Sequence, residues 1–125
     1  MTANLNQLLL ARSDWFASEI MRAVKRGEHA YITPAQSRLL AHMAGRPARM
    51  AELARRLAIS RQAVHKTVAE LARRGILEVR DDPQRRNAKL VVYTEMGKQV
   101  NRAGAKIIDA IEAWSMSRKK CSHVL

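Results

Sequence analysis

The sequence predicts a mainly α-helical fold with a small β wing, and three observations carry that expectation. Met50 to Leu77, MAELARRLAISRQAVHKTVAELARRGIL, reads as two helices joined by a sharp turn. Directly after it, two short β-like runs flank a turn with a basic tip. Long stretches at both ends of the chain hold apolar residues at helical spacing,. A helix-turn-helix followed at once by such a hairpin is a winged helix, here set between two terminal helices.

The first helix is expected from Thr2 to Arg26, with Gly27 as its stop. Leu5, Leu8, Leu9, Phe16, Ile20 and Val24 follow helical spacing, interrupted by Arg12,. Thr33-Pro34 opens the second helix, because threonine caps free N–H groups and proline suits the first helical position. Leu39, Leu40 and Met43 give this strut its apolar face, and Gly45-Arg46-Pro47 breaks it. Ala48-Arg49-Met50 is placed as a short third strand of the wing sheet.

The helix-turn-helix itself runs from Met50 to Leu57, turns at Ala58-Ile59-Ser60, and continues from Arg61 to Arg74. Ser60 can cap the second helix, and Gly75 tolerates the left-handed conformation that ends it. At about 100° per residue, Ala63, Val64, Thr67, Val68 and Leu71 share one side. Arg61, Gln62, His65, Lys66, Ala69 and Arg73 share the other. Small Ala54 lets the two helices cross closely. A polar face alone equally marks a solvated surface helix, so the wing decides between the two readings.

Ile76-Leu77-Glu78-Val79-Arg80 alternates as a half-buried strand does, and Lys89-Leu90-Val91-Val92-Tyr93 is the returning strand. Asp81-Asp82-Pro83-Gln84 is a turn cluster, with Arg85-Arg86-Asn87 at the tip,. Arginine is long, always charged, and suited to a narrow electronegative minor groove. Thr94 caps the last helix, with Glu95 complementing its dipole. Val100, Ala103, Ile107, Ile108, Ile111 and Trp114 form its stripe as far as 117. Residues 118–125 are expected to be a polar tail.

Taken together, Ile32-Thr33-Pro34-Ala35-Gln36, AELARRLAISRQAVHKTVAELARRGILEVR and DDPQRRNAKLVVYTEMGK resemble the MarR family of transcriptional regulators over about residues 32 to 98. The resemblance implies one domain over 1–125. Residues 2–26 and 94–117 would be dimerisation helices, and 33–93 a DNA-binding lobe. It also implies a homodimer, and a small aromatic or anionic effector held near Trp15, Phe16 and His42. Two departures stand out. Family wings carry an Asp directly before the tip arginine, where this chain has Arg85. Arg86 then matches the tip arginine, and Asn87 stands where a second basic residue is common. The final dimerisation helix of the family is also lacking.

Composition narrows the function classes. Net charge is +12, and residues 46–89 hold 12 Lys/Arg against 5 Asp/Glu. The excess is therefore concentrated in the helix-turn-helix and wing, which favours a polyanion such as nucleic acid. Aromatics are 4% of residues, which disfavours a single-strand surface built on stacked rings,. One cysteine, Cys121, forms no intrachain disulfide, and lacks a resolving partner for redox sensing,. No signal peptide or membrane span is read, so a cytoplasmic protein is expected. Asp81-Asp82 is a turn pair and not a catalytic dyad. No phosphate loop or nucleophile elbow is present. His29, His42, His65 and His123 are scattered without metal-ligand spacing. Neither an enzyme nor a cofactor is expected.

The reading is a sequence-specific double-stranded-DNA-binding regulator, a ligand-responsive repressor acting as a homodimer on an inverted repeat. Arg61 and Gln62 would read bases. Ser60, His65, Lys66 and Arg73 would hold phosphates, and Arg86 with Arg85 would enter the minor groove. The alternatives are a winged-helix protein-interaction module and a non-specific DNA-binding protein.

Overall fold

The computed structural model describes residues 5–123, with side chains described through Ser117. The side chains of Cys121 and His123 lie outside the described residues, as do residues 2–4 of the first expected helix. The elements are α1 (Leu5–Arg26), α2 (Pro34–Met43), β1 (Ala48–Arg49), α3 (Met50–Leu57), α4 (Arg61–Arg73), β2 (Leu77–Asp81), β3 (Lys89–Tyr93) and α5 (Glu95–His123). They form two compact units, Thr33–Ala103 and a helical unit of Met1–Ile32 with Gly104–Leu125.

The Thr33–Ala103 unit holds the winged helix. Its core is Leu39 of α2, Leu53 of α3, Val64, Val68 and Leu71 of α4, and Ile76, Leu77 and Val91 around the sheet, all fully buried. Burying each such side chain contributes roughly 1.5–3 kcal/mol before entropic costs. The sheet is antiparallel in the order β1-β3-β2, with Ala48 opposite Val91 and Val79 also opposite Val91. Buried Tyr93 donates its hydroxyl to the Leu40 carbonyl at 3.1 Å, tying β3 to α2.

Local chemistry sets the element ends. Thr33 accepts the Gln36 N–H while the Gln36 side chain accepts the Thr33 N–H, a reciprocal cap on α2,. Gln36 is itself buried, and its amide donates to Glu70 of α4 at 2.8 Å. Gly75 follows α4 at φ +78°, a conformation glycine adopts without a Cβ clash,. The Thr94 hydroxyl donates to the Gly75 and Ile76 carbonyls and accepts the Gly97 N–H, which clamps the start of α5 onto the α4–β2 corner.

The helical unit carries Trp15 edge-on to Phe16, with ring centroids 5.0 Å apart, and stacked on Trp114 at 5.7 Å. Leu5, Leu8, Leu9 and Leu10 are more than half exposed, at 71%, 57%, 59% and 58%. Trp114 and Met116 are also exposed. Among the described residues, no helix is long and apolar enough to cross a membrane.

Several boundaries differ from the sequence expectation: β1 is Ala48–Arg49, with Met50 opening α3, and β2 extends to Asp81. The last helix was expected to yield to a tail at 118, whereas α5 continues to His123; no glycine or proline after Gly104 breaks it,. Arg74 caps α4 and does not extend it. β2 starts at Leu77 because Ile76 is held in the corner, its N–H on Leu71 and its carbonyl on the Thr94 N–H.

Candidate nucleic-acid interface

The second helix of the helix-turn-helix is built to present one face. Ser60 is its N-cap, and its hydroxyl accepts the Ala63 N–H at 3.1 Å. Val64, Thr67, Val68 and Leu71 are buried. Thr67 is buried without loss because its hydroxyl donates to the Ala63 carbonyl at 3.0 Å,. The opposite residues, Arg61, Gln62, His65, Lys66, Ala69 and Arg73, are all exposed.

The preceding turn is tight. Ala58 sits at φ +54°, and the Ala58 and Ile59 N–H groups bond to the Arg55 and Ala54 carbonyls, each at 3.2 Å. These two bonds fix where α3 ends and where Ser60 begins the next helix.

The wing is held from its base. Asp82 is buried, with its carboxylate 2.6 Å from the Arg49 guanidinium and 2.9 Å from the Gln84 N–H. The Arg49 hydrogen bond and the Gln84 N–H hold the Asp82 carboxyl below the ordinary carboxylate range,. The Asp82 N–H donates to the Ala88 carbonyl at 2.9 Å, closing the loop, and Asn87 takes φ +61° at the tip. Arg85 and Arg86 are exposed beyond this base. Sequence reading saw Asp82 only as a turn former and Arg49 only as a strand residue. Their pairing spans 33 positions, and no local pattern signals it.

Charge pairing divides the cations of this unit. Arg56 pairs with Glu52, Arg80 with Glu78, Lys89 with Asp81, and Lys98 with Glu95. Arg55, Arg61, Lys66, Arg73 and Arg86 form no ion pair among the described residues, Arg85 acts on the Asp82 carboxylate only through space, and all six are exposed. The exposed cations without an ion pair thus include those of the helix-turn-helix and the wing tip, together with Arg38, Arg46 and Arg102 elsewhere in the unit.

Of the residues expected near an effector, Trp15 and Phe16 are half-buried in the helical unit, while His42 is exposed on α2 of the winged-helix unit.

A helix-turn-helix with a three-stranded sheet and a basic loop between its last two strands is a winged helix-turn-helix protein. The MarR family model matches residues 32–86. An uncharacterised protein of Mycobacterium tuberculosis strain H37Rv is 35% identical over 71 residues, which are 57% of this chain and 50% of that protein. The chain thus spans about half the length of the curated relatives it matches. Among solved structures, ligand-free wild-type MarR of E. coli superposes with a TM-score of 0.78 at 16% identity, covering 95% of this chain and 86% of that one. A transcriptional regulator of Thermotoga maritima gives a TM-score of 0.68 at 26% identity, covering 95% and 84%. The family-model match spans the helix-turn-helix and the wing as far as its tip, and the fold of the chain is the fold of these MarR-family structures.

Proposed function

We propose that this chain is a transcription regulator that reads double-stranded DNA as a homodimer on an inverted-repeat operator. The observation that carries the reading is the outer face of α4, where Arg61, Gln62, His65 and Lys66 are exposed, together with a braced wing whose tip arginines are exposed. A helix of this kind enters a major groove, and a two-fold pair reaches grooves about one helical turn apart. Arg61 and Gln62, in the first turn, are the base readers, because arginine suits guanine and glutamine suits adenine. Ser60, His65, Lys66 and Arg73 hold phosphates. Arg86, with Arg85, enters the minor groove.

The homodimer reading is supported by the exposed leucines of α1 and by Trp114 and Met116, since several large apolar side chains left in water favour burial against a partner,. In this reading the protein is a cytoplasmic repressor, released by a small aromatic or anionic effector. Its work is binding and not catalysis.

Replacing Arg61 tests the assignment. Arg61→Ala is expected to weaken operator binding by about 1–3 kcal/mol and random-sequence binding much less. Equal losses on both would remove Arg61 from base reading.

A further inference from the structure

The first helix of the helix-turn-helix carries two adjacent arginines in its last turn, and the structure treats them differently. Arg56 is paired with Glu52 one turn earlier on the same helix. Arg55 is exposed and pairs with no acid among the described residues. Leu53, Ala54 and Leu57 bury the inner face of α3, so Arg55 projects from the outer side. One turn back along α3 lie exposed Ala51 and half-buried Glu52, the latter engaged by Arg56, and exposed Ala58 and Ile59 follow the helix end,. Small Ala51 and Ala58 leave room beside a long cation for a bulky chain to approach. The Arg55 carbonyl also accepts the Ala58 N–H, so this turn of α3 is tied directly to the bend that places Ser60 and Arg61.

We propose that Arg55 is a DNA-backbone contact, a phosphate anchor supplied by α3 beside the reading helix, and that Arg56 is not. The proposal rests on the DNA-binding reading above. The first helix of a helix-turn-helix crosses the sugar-phosphate backbone while the second lies in the groove. A guanidinium without an internal partner gains a phosphate and releases a condensed counterion. One already neutralised by a carboxylate gains less. Arg55 would therefore set the register of the helix-turn-helix on the duplex without reading sequence.

The test is the salt dependence of binding by the full chain on one duplex, followed by fluorescence anisotropy. Each phosphate contact contributes roughly 0.9 to the slope of log K against log salt, so Arg55→Ala should flatten a dimer's slope by about 1.8. Arg55→Lys, which keeps the charge, should restore most of it. The charge-neutral double variant Glu52→Gln with Arg56→Gln should leave the slope unchanged. Circular dichroism of each variant confirms the fold. If the parent protein binds with a steep slope and Arg55→Ala keeps that slope, this proposal fails and the DNA-binding reading stands. If the parent shows no salt-dependent binding, the DNA-binding reading itself fails.

Discussion

Ala58 is the residue on which the geometry of the helix-turn-helix bends, and it sits in a conformation that alanine dislikes. Its φ of +54° and ψ of +43° are left-handed. There the Cβ crowds the carbonyl oxygen that follows, at a cost of about 1–2 kcal/mol. Glycine removes that crowding. It loses more backbone entropy on folding, a penalty of roughly 0.5–1 kcal/mol. The Ala58 methyl is exposed, so its removal empties no part of the core. Ala58→Gly should therefore stabilise the fold by about 0.5–1 kcal/mol, raising Tm by roughly 2–5 °C for a chain of this size. Ala58→Val should lower it, because a β-branched side chain fits the left-handed region worse still. Thermal melts by circular dichroism at matched protein concentration would read both. A Tm for Ala58→Gly at or below the parent's would show that the bend carries no such strain.

Three other substitutions test the remaining joints. At Gly97, an added Cβ would run into the Ile76 carbonyl, a backbone group that cannot swing away. Gly97→Ala should cost about 1–3 kcal/mol in urea denaturation, as overpacking does, and a midpoint equal to the parent's would refute the close approach. Asp82 has a carboxyl pKa lowered by Arg49 and the Gln84 N–H. Its contribution to stability is complete above the unfolded value of about 3.9 and is lost as pH falls through the lower folded value. Asp82→Asn should therefore lack that part of the acid dependence, and an acid profile parallel to the parent's would rule out the pair as its source. Lys66→Ala should weaken binding to every duplex and flatten the salt slope, and an unchanged slope would take Lys66 off the phosphates.

Much of this architecture was legible because its signals are local. Thr33-Pro34, Ser60 and Gly75 mark helix ends through side-chain and backbone chemistry that acts within four residues. The apolar stripe from Val64 to Leu71 fixes which face of α4 is buried, and hence which residues are exposed. The interactions that hold the parts together were not legible. Arg49–Asp82 and Gln36–Glu70 join residues 33 and 34 positions apart, and no spacing rule pairs them. The left-handed turn at Ala58 was hidden for a different reason, since alanine carries no sign of it and the neighbouring bonds impose it. The tail was misjudged at 118 because apolar periodicity fades there. A helix persists without periodicity when no breaker stops it,.

The central claim is sequence-specific reading of duplex DNA by α4. Its most direct test is fluorescence anisotropy of the purified protein on the intergenic DNA upstream of its own gene. The complex is titrated with random-sequence competitor at near-physiological salt. The account predicts binding that survives a large excess of competitor and is lost in Arg61→Ala. Binding that falls in proportion to competitor would contradict it, leaving an interaction set by the net charge of +12 alone,.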